Sequence, residues 1–334
     1  MSLIYGLCLP RKIYLVSDSR LTTRHSDGSI THSDDFGKWL DIVPKVAVVV
    51  ANSAHQASWM LQKMLPEIRE KGMEWDFGDV ERYLKANLKR VATEYYTETG
   101  FTSNSVSFIF GGFDHSKKLK IESSRMGNAM SAPIMRAGEG HTFTQTVDMD
   151  IINAFSKVLH EGPVEAGTMF EVDLPRPRVL AVTVRAIHTG TEIIYEDAYC
   201  YEGIVFNPSY KTERIEVPSE LIGDLEYRNT NPGSSEKAIY QDCSHILMYT
   251  DALIDEKGWP TVGGEVLPLL VLPDTNGFAT GQHVRIKDGK RYVGGVGADE
   301  AGRMFYYNRE GGTTPYRFIY DYLDSVIEDD GAQL

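Results

Sequence analysis

Four points in the first 54 residues have side chains and spacing that could do chemistry together: Ser2, Asp18 with Arg20, Lys38, and the Asn52-Ser53-Ala54 corner. Asp18 follows the apolar run Ile13-Tyr14-Leu15-Val16 by two residues, and Asn52 ends the run Val46-Ala47-Val48-Val49-Val50-Ala51. Strand ends beside loops are where catalytic groups tend to sit. If Met1 is removed, Ser2 carries both a hydroxyl and a free α-amine. An α-amine titrates near ~7.7–8.0, which makes it a usable base near neutral pH. A serine hydroxyl is a weak nucleophile and needs such a base. A nearby lysine would lower the amine's pKa and stabilise an incipient alkoxide. Lys38 is the candidate, with Asp18 to hold its charge. A main-chain N–H at Asn52, where a buried strand turns a tight corner, would supply an oxyanion donor. On its own, Ser2 is simply a second residue; its neighbours give it meaning.

The elements that must position these groups follow from patterning. Leu3 to Leu9 and Ile13 to Ser17 read as two strands of a hairpin around Pro10-Arg11-Lys12. Residues 22–35 are polar and hold the turn signal Asp27-Gly28. The valine run suits a strand buried on both faces. His55 to Glu70 and Asp79 to Glu98 carry apolar residues at helical spacing, with Pro66 expected to kink or shorten the first. Strands are expected at Ser105 to Phe113, Leu119 to Glu122, Pro133 to Ala137, Arg178 to Ala186 and Glu192 to Glu196. A third helix is expected around Val147, Ile151, Phe155 and Val158. Strands in blocks and helices in blocks argue for α+β layers over alternating βαβ units.

Beyond about residue 200 the chain is richer in Gly, Pro, Asp and Tyr. Short strands are expected at His245 to Tyr249, Val266 to Leu272, His283 to Ile286 and Met304 to Tyr307. A final helix is expected with Thr314 as N-cap, Pro315 as its first residue, and Ile319, Tyr320 and Leu323 on its apolar face. Gly264 and the glycines at 294, 295 and 297 read as loop; no Lys-Ser/Thr follows the latter, so they do not form a phosphate loop. The expected division is 1–200 and an extension of mixed α/β character over 201–334.

The net charge is −13, and residues 209–334, with 21 acidic and 12 basic side chains, supply −9 of it. Such a chain repels phosphate, which argues against nucleic-acid and anionic-membrane binding. The acidic tail is expected to face outward. Three widely spaced cysteines, Cys8, Cys200 and Cys243, fit reduced thiols better than a disulfide framework or a zinc site. No run approaches the ~20 apolar residues of a membrane span, and Pro10-Arg11-Lys12 interrupts any signal-peptide pattern. The expectation is a cytoplasmic protein. His25, His32, His55 and His141 lack ligand spacing, so no metal is expected, and a serine activated by its own α-amine needs no cofactor.

Residues 2–65 resemble the start of a proteasome β-type subunit, of the N-terminal-nucleophile hydrolase superfamily. Ser2-Leu3-Ile4-Tyr5-Gly6 resembles the opening strand, where Thr is the usual first residue. Ser17-Asp18-Ser19-Arg20 resembles the Asp-x-Arg signature, Gly37-Lys38-Trp39-Leu40 the region of the family lysine, and Asn52-Ser53-Ala54 the Gly-Ser/small corner. The resemblance covers about 200 residues, with detail only in the first 65. It implies a four-layer αββα sandwich, hydrolysis of peptide or amide bonds, and assembly into a homo-oligomeric closed or open ring, with an unfoldase as a possible kind of partner. It makes Ser2 nucleophile and base, Asp18 and Lys38 its activators, and Asn52 the oxyanion donor. Leu21, Phe36, Leu40, Val50 and Ala54 would line the substrate pocket; as plain apolar residues they are equally core. No propeptide precedes Ser2 in this sequence, which suits maturation by Met1 removal alone.

The sequence also departs from the family. Gly138-Glu139-Gly140 stands where Gly-Ser-Gly is usual, so Glu139 replaces the serine that supports the α-amine. This brings the chain nearer to bacterial Anbu-like homologues than to HslV-type peptidases. An Asp and a Ser usual before the next strand have no clear match in Phe170-Glu171-Val172-Asp173-Leu174-Pro175, and the helix expected there is poorly formed, leaving the roles of Glu171 and Asp173 open. Two other readings stand beside the peptidase: a catalytically silent ring-forming scaffold that keeps Met1, and a small-molecule amidase.

Overall fold

Strands whose central members are buried on both faces build this protein into two main sheets, each antiparallel, covered by three helices among the described residues. The computed structural model describes residues 2–9, 12–25, 27–72, 74–102, 104–122, 134–135, 169–187, 190–198, 204–206, 235–273, 276–278, 283–287, 290–294, 296–298, 304–307, 313–315 and 317–322. In chain order, β1 (Ile4–Leu9) and β2 (Lys12–Asp18) form a hairpin. β3 (Leu21–Arg24) and β4 (Ile30–Ser33) form a second one. β5 (Phe36–Gly37), β6 (Trp39–Val43) and β7 (Val46–Asn52) lead into helices α1 (Ala54–Gly72) and α2 (Phe77–Thr99). Then come β8 (Ser105–Glu122), β9 (Ile134–Met135), β10 (Met169–Ile187), β11 (Gly190–Ala198) and β12 (Ile204–Phe206). Helix α3 (Ser235–Lys257) precedes β13 (Val266–Val271) and β14 (Asn276–Phe278). Short strands β15 (His283–Lys287) to β19 (Thr313–Pro315) follow, and β20 (Arg317–Phe318) runs into a single 3-10 turn, Ile319–Asp321.

The larger sheet has the order β11-β10-β8-β7-β6, with β9 on β8; the smaller has the order β12-β1-β2-β13-β14. β7 shows how they stack. Val46, Val48 and Val50 join α1 and α2 in one apolar cluster, while Ala47, Val49 and Ala51 join the cluster shared with the smaller sheet. Ile4, Ile13, Leu15, Leu267 and Leu269 meet them there. Gly111 lets the sheets approach closely, since a Cβ on it would lie 2.9 Å from Leu15. The other face of the smaller sheet, with Tyr5, Tyr14, Val16 and Leu270, packs on Cys243, Ile246 and Leu247 of α3. Each large apolar side chain so buried contributes about 1.5–3 kcal/mol.

Two helices follow their local signals closely. α2 begins with a reciprocal Asp76/Asp79 capping box and ends at Gly100, which is left-handed at φ 71. Ser53 caps α1 by accepting from Gln56 N at 3.1 Å. Pro66 does not shorten α1, because Leu61, Met64, Leu65 and Ile68 on both sides of it are buried against the larger sheet and α2.

Other expectations are corrected. Most of residues 22–35 belong to the β3–β4 hairpin, turning at Gly28 with φ 83; beyond its base at Leu21 and Thr22 it is largely solvent-exposed, so its residues show no apolar alternation. The two strands expected between 105 and 122 are one, β8. Phe170–Pro175 belongs to β10, with an irregularity in register between Leu174 and Arg176 around Pro175. His245–Tyr249, read as a strand, lies inside α3. Its buried face includes Asp242 and Thr250, which break the apolar stripe. Asp242 accepts from Tyr14 Oη at 2.9 Å and Lys12 Nζ at 3.1 Å, and Thr250 meets Tyr5 Oη at 2.6 Å. Gly294 and Gly297 lie in strands β16 (Lys290–Gly294) and β17 (Val296–Ala298). Thr314 and Pro315 lie in β19 instead of opening a helix. The helix expected around Val147–Val158 lies outside the described residues. The division expected near residue 200 runs through the smaller sheet, where β12 pairs with β1 and β13 with β2. α3 and β13 are thus packed inward and not displayed as an outward tail.

Candidate active site

The end of β2 delivers Asp18 fully buried beneath Ser2 and Lys38, which are 6% and 4% exposed. Lys38 Nζ donates to Ser2 Oγ at 2.9 Å and to Asp18 Oδ1 at 2.7 Å. Burial pushes the Lys38 ammonium below its ordinary pKa, and the adjoining Asp18 carboxylate opposes that shift. The result is a lysine held against a hydroxyl in a site nearly free of solvent. The β1–β2 pairing sets this geometry: Leu3 N donates to Asp18 Oδ1 at 2.8 Å, and Asp18 N donates back to Leu3 O at 3.1 Å.

Asp18 is held from a second side by the stretch that leads into β13. Gly263 N donates to Asp18 Oδ2 at 3.2 Å, alongside Arg20 N at 3.3 Å. Arg20 N also donates to Gly263 O at 3.1 Å, and Glu265 N donates to Ser19 Oγ at 2.8 Å. Gly263 has no room for a side chain, since a Cβ would lie 2.7 Å from Arg20 Cζ. The Arg20 guanidinium forms a bidentate pair with Asp34, at 2.7 and 3.0 Å, which raises its pKa further.

Asn52 closes β7 at φ 76 and is the one non-glycine residue with positive φ among those described. Asn tolerates the left-handed region better than most residues, so it can stand at a corner where glycine would be the default. Its side-chain amide donates to Ser107 Oγ at 3.3 Å, and Ser107 Oγ meets Thr183 Oγ1 at 3.1 Å. Ser53 N donates to Ser105 O at 3.0 Å. The corner is thereby fixed to β8 and β10.

Ser2, Lys38 and Asn52 line one cleft of about 40 Å³. Leu21, Phe36, Val50 and Ala54 line it too. Leu40 does not; it packs against the cluster formed with the helices. Glu139 lies outside the described residues. Glu171 and Asp173 lie in β10, in register with Lys120 and Lys118. No protein-family model and no curated protein matches the chain. No group of His, Cys, Asp and Glu suited to a metal occurs among the described residues, and no described helix is long and apolar enough to cross a membrane.

Sequence reasoning missed Gly263, Glu265, Ser107 and Ile319. The Gly263-Gly264 doublet was the available signal. Gly264 has φ 75, and a Cβ there would lie 2.4 Å from Ser19 Oγ, so the pair marks a close approach of backbones and not a free loop.

Proposed function

We propose that this protein is a proteasome-like N-terminal serine hydrolase that cleaves peptide or amide bonds. The observation that carries the reading is Lys38 Nζ lying 2.9 Å from Ser2 Oγ and 2.7 Å from Asp18 Oδ1, all three groups buried. After removal of Met1, the Ser2 α-amine accepts the hydroxyl proton as Oγ attacks the carbonyl carbon. Lys38 stabilises the developing alkoxide, and Asn52 N–H faces the oxyanion. The C–N bond then breaks, the leaving amine takes the proton from the α-amine, and an acyl ester on Ser2 remains. Water attacks this ester by the same route and frees the acid.

A four-layer αββα sandwich of the N-terminal-nucleophile type is part of the proposal. It is supported by the apolar cluster between the sheets and by helices on both outer faces. A cytoplasmic homo-oligomer, closed or open as a ring and served by a protein partner such as an unfoldase, completes it. Native mass spectrometry tests the assembly.

Intact-mass measurement tests the chemistry. The protein made in cells is expected to lack Met1 and to gain one adduct from a serine-directed electrophile. Ser2→Ala and Lys38→Ala are expected to gain none. Retention of Met1, or full labelling of Lys38→Ala, refutes the mechanism; retention with an intact assembly favours the scaffold reading.

A further inference from the structure

The far C-terminal segment forms one wall of the cleft. β20 pairs in parallel with β5, with Arg317 opposite Phe36 and Phe318 opposite Gly37. Ile319 follows directly on one strand as Lys38 follows on the other. Ile319 is 2% exposed and lines the cleft that Ser2 and Lys38 also line. The segment is fastened in place. Tyr320 O accepts from Ser58 Oγ and from Gln62 Nε2, both at 2.9 Å on α1. The Phe318 ring meets Trp39 edge-on at 5.1 Å, and Tyr322 meets Phe36 at 5.7 Å.

We infer that Ile319 sets substrate size: it closes the apolar end of the cleft so that the acyl side chain bound beside Ser2 must be small and uncharged. This deepens the proposed hydrolase reading and rests on it. A cleft of about 40 Å³ holds roughly three water-sized groups, at about 10–15 Å³ each. Set against the roughly 150 Å³ cavity that takes up benzene, that favours an alanine- to valine-sized side chain over an aromatic one. The side chains around it other than Arg20 and Lys38 are largely short or apolar, including Leu21, Val50, Ala54 and Ala57. Arg20 is committed to Asp34 and Lys38 to Asp18, so neither cation is a ready partner for an acidic side chain. The fixed Tyr320 carbonyl and the two ring contacts make the wall rigid, so a larger side chain cannot push it aside without breaking these contacts.

The test uses full-length protein with Met1 shown by mass to be absent. The p-nitrophenyl esters of N-acetyl-alanine, -leucine and -phenylalanine are compared by kcat/KM, with Ser2→Ala as background. The wild type is expected to prefer the alanyl to the phenylalanyl ester by at least about tenfold, the scale on which apolar pockets discriminate. Ile319→Ala is expected to lower that ratio by about tenfold or more, and Ile319→Val to lower it less and in the same direction. If Ile319→Ala does not fold, the Ile319→Val ratio and the wild-type preference decide. Equal wild-type rates on the three esters overturn the inference, as does an unchanged ratio in folded variants, while Ser2-dependent turnover leaves the hydrolase reading standing. Release that persists unchanged in Ser2→Ala overturns the hydrolase reading itself.

Discussion

Replacing Asp18 by asparagine removes one negative charge and one acceptor from a site that uses both. Oδ1 accepts from Leu3 N and Lys38 Nζ, and Oδ2 accepts from Arg20 N and Gly263 N. In Asp18→Asn one oxygen becomes an NH₂, which confronts two N–H donors if the remaining oxygen keeps Leu3 and Lys38. A buried donor left without an acceptor costs about 1–3 kcal/mol. Lys38 is also left with no adjoining carboxylate, and breaking a buried pair from one side costs about 3–5 kcal/mol in total. We expect a loss of about 3–5 kcal/mol in urea unfolding near pH 7. The loss should depend on pH. Burial already lowers the Lys38 pKa from 10.5, with Asp18 opposing the change. Without Asp18 it falls further, so over the range between the folded value and 10.5 the unfolded chain binds more protons and stability rises with pH. The contribution is fully present above the unfolded value and is lost as pH falls through the folded one. The deficit should therefore shrink as pH rises from the variant's folded Lys38 value to the higher wild-type one, above which both proteins gain stability alike. The double variant Asp18→Asn/Lys38→Met should be more stable than Asp18→Asn alone near pH 7, because it no longer buries an isolated ammonium. A deficit below about 1 kcal/mol, or one that grows as pH rises, would refute the reasoning.

Three further outcomes follow from the geometry. Gly264→Ala should lose about 1–3 kcal/mol and slow Ser2 acylation, since it combines φ 75 with a clash at Ser19 Oγ; Gly28→Ala, at φ 83 with nothing within 4 Å, should lose less and leave acylation unchanged. Asn52→Ala should be about 1–2 kcal/mol less stable than Asn52→Gly by urea unfolding, because both lose the side-chain contact with Ser107 and only alanine is strained at φ 76. Asp242→Ala, which removes the acceptor shared by Lys12 and Tyr14, should cost about 3–5 kcal/mol and raise amide hydrogen exchange across α3, with Tyr14→Phe costing about 1 kcal/mol.

The parts of the fold legible in the sequence are those whose burial leaves a local pattern. The valine run of β7 is apolar on both faces because each face meets a different cluster. α1 and α2 are amphipathic because each covers one side of a sheet. α3 was not legible, since Asp242 and Thr250 interrupt the apolar face it docks with, and their partners Lys12, Tyr14 and Tyr5 lie more than 200 residues away. The β3–β4 hairpin was not legible because only its base, Leu21 and Thr22, reaches the cleft and the rest, being largely exposed, needs no apolar residues. Ser2, Asp18 and Lys38 were legible because strand ends and spacing point to them. Gly263, on the stretch before β13, and Ile319, in the 3-10 turn after β20, act on the site through a backbone N–H and a cleft wall; the Gly263-Gly264 doublet is a local sign of the first, and nothing around Ile319 signals the second.

The hydrogen bond from Gly263 N to Asp18 spans 245 positions of the chain, and this sets the order in which the molecule can be completed. The β1–β2 hairpin is local and can form early, but β2 stays an open edge until β13 pairs with it. Pairings this distant close slowly, because the entropy of a long loop is lost before any contact rewards it. During synthesis, Ser2, Asp18 and Lys38 emerge first, and the strand that fixes them emerges more than 200 residues later. A nascent chain thus carries its reactive groups without the framework that arms them, and its exposed β2 edge needs shielding until β13 arrives. Chains stalled before residue 263 should show no Ser2 acylation and should associate through that edge, which ribosome-arrested lengths ending on either side of β13 would show.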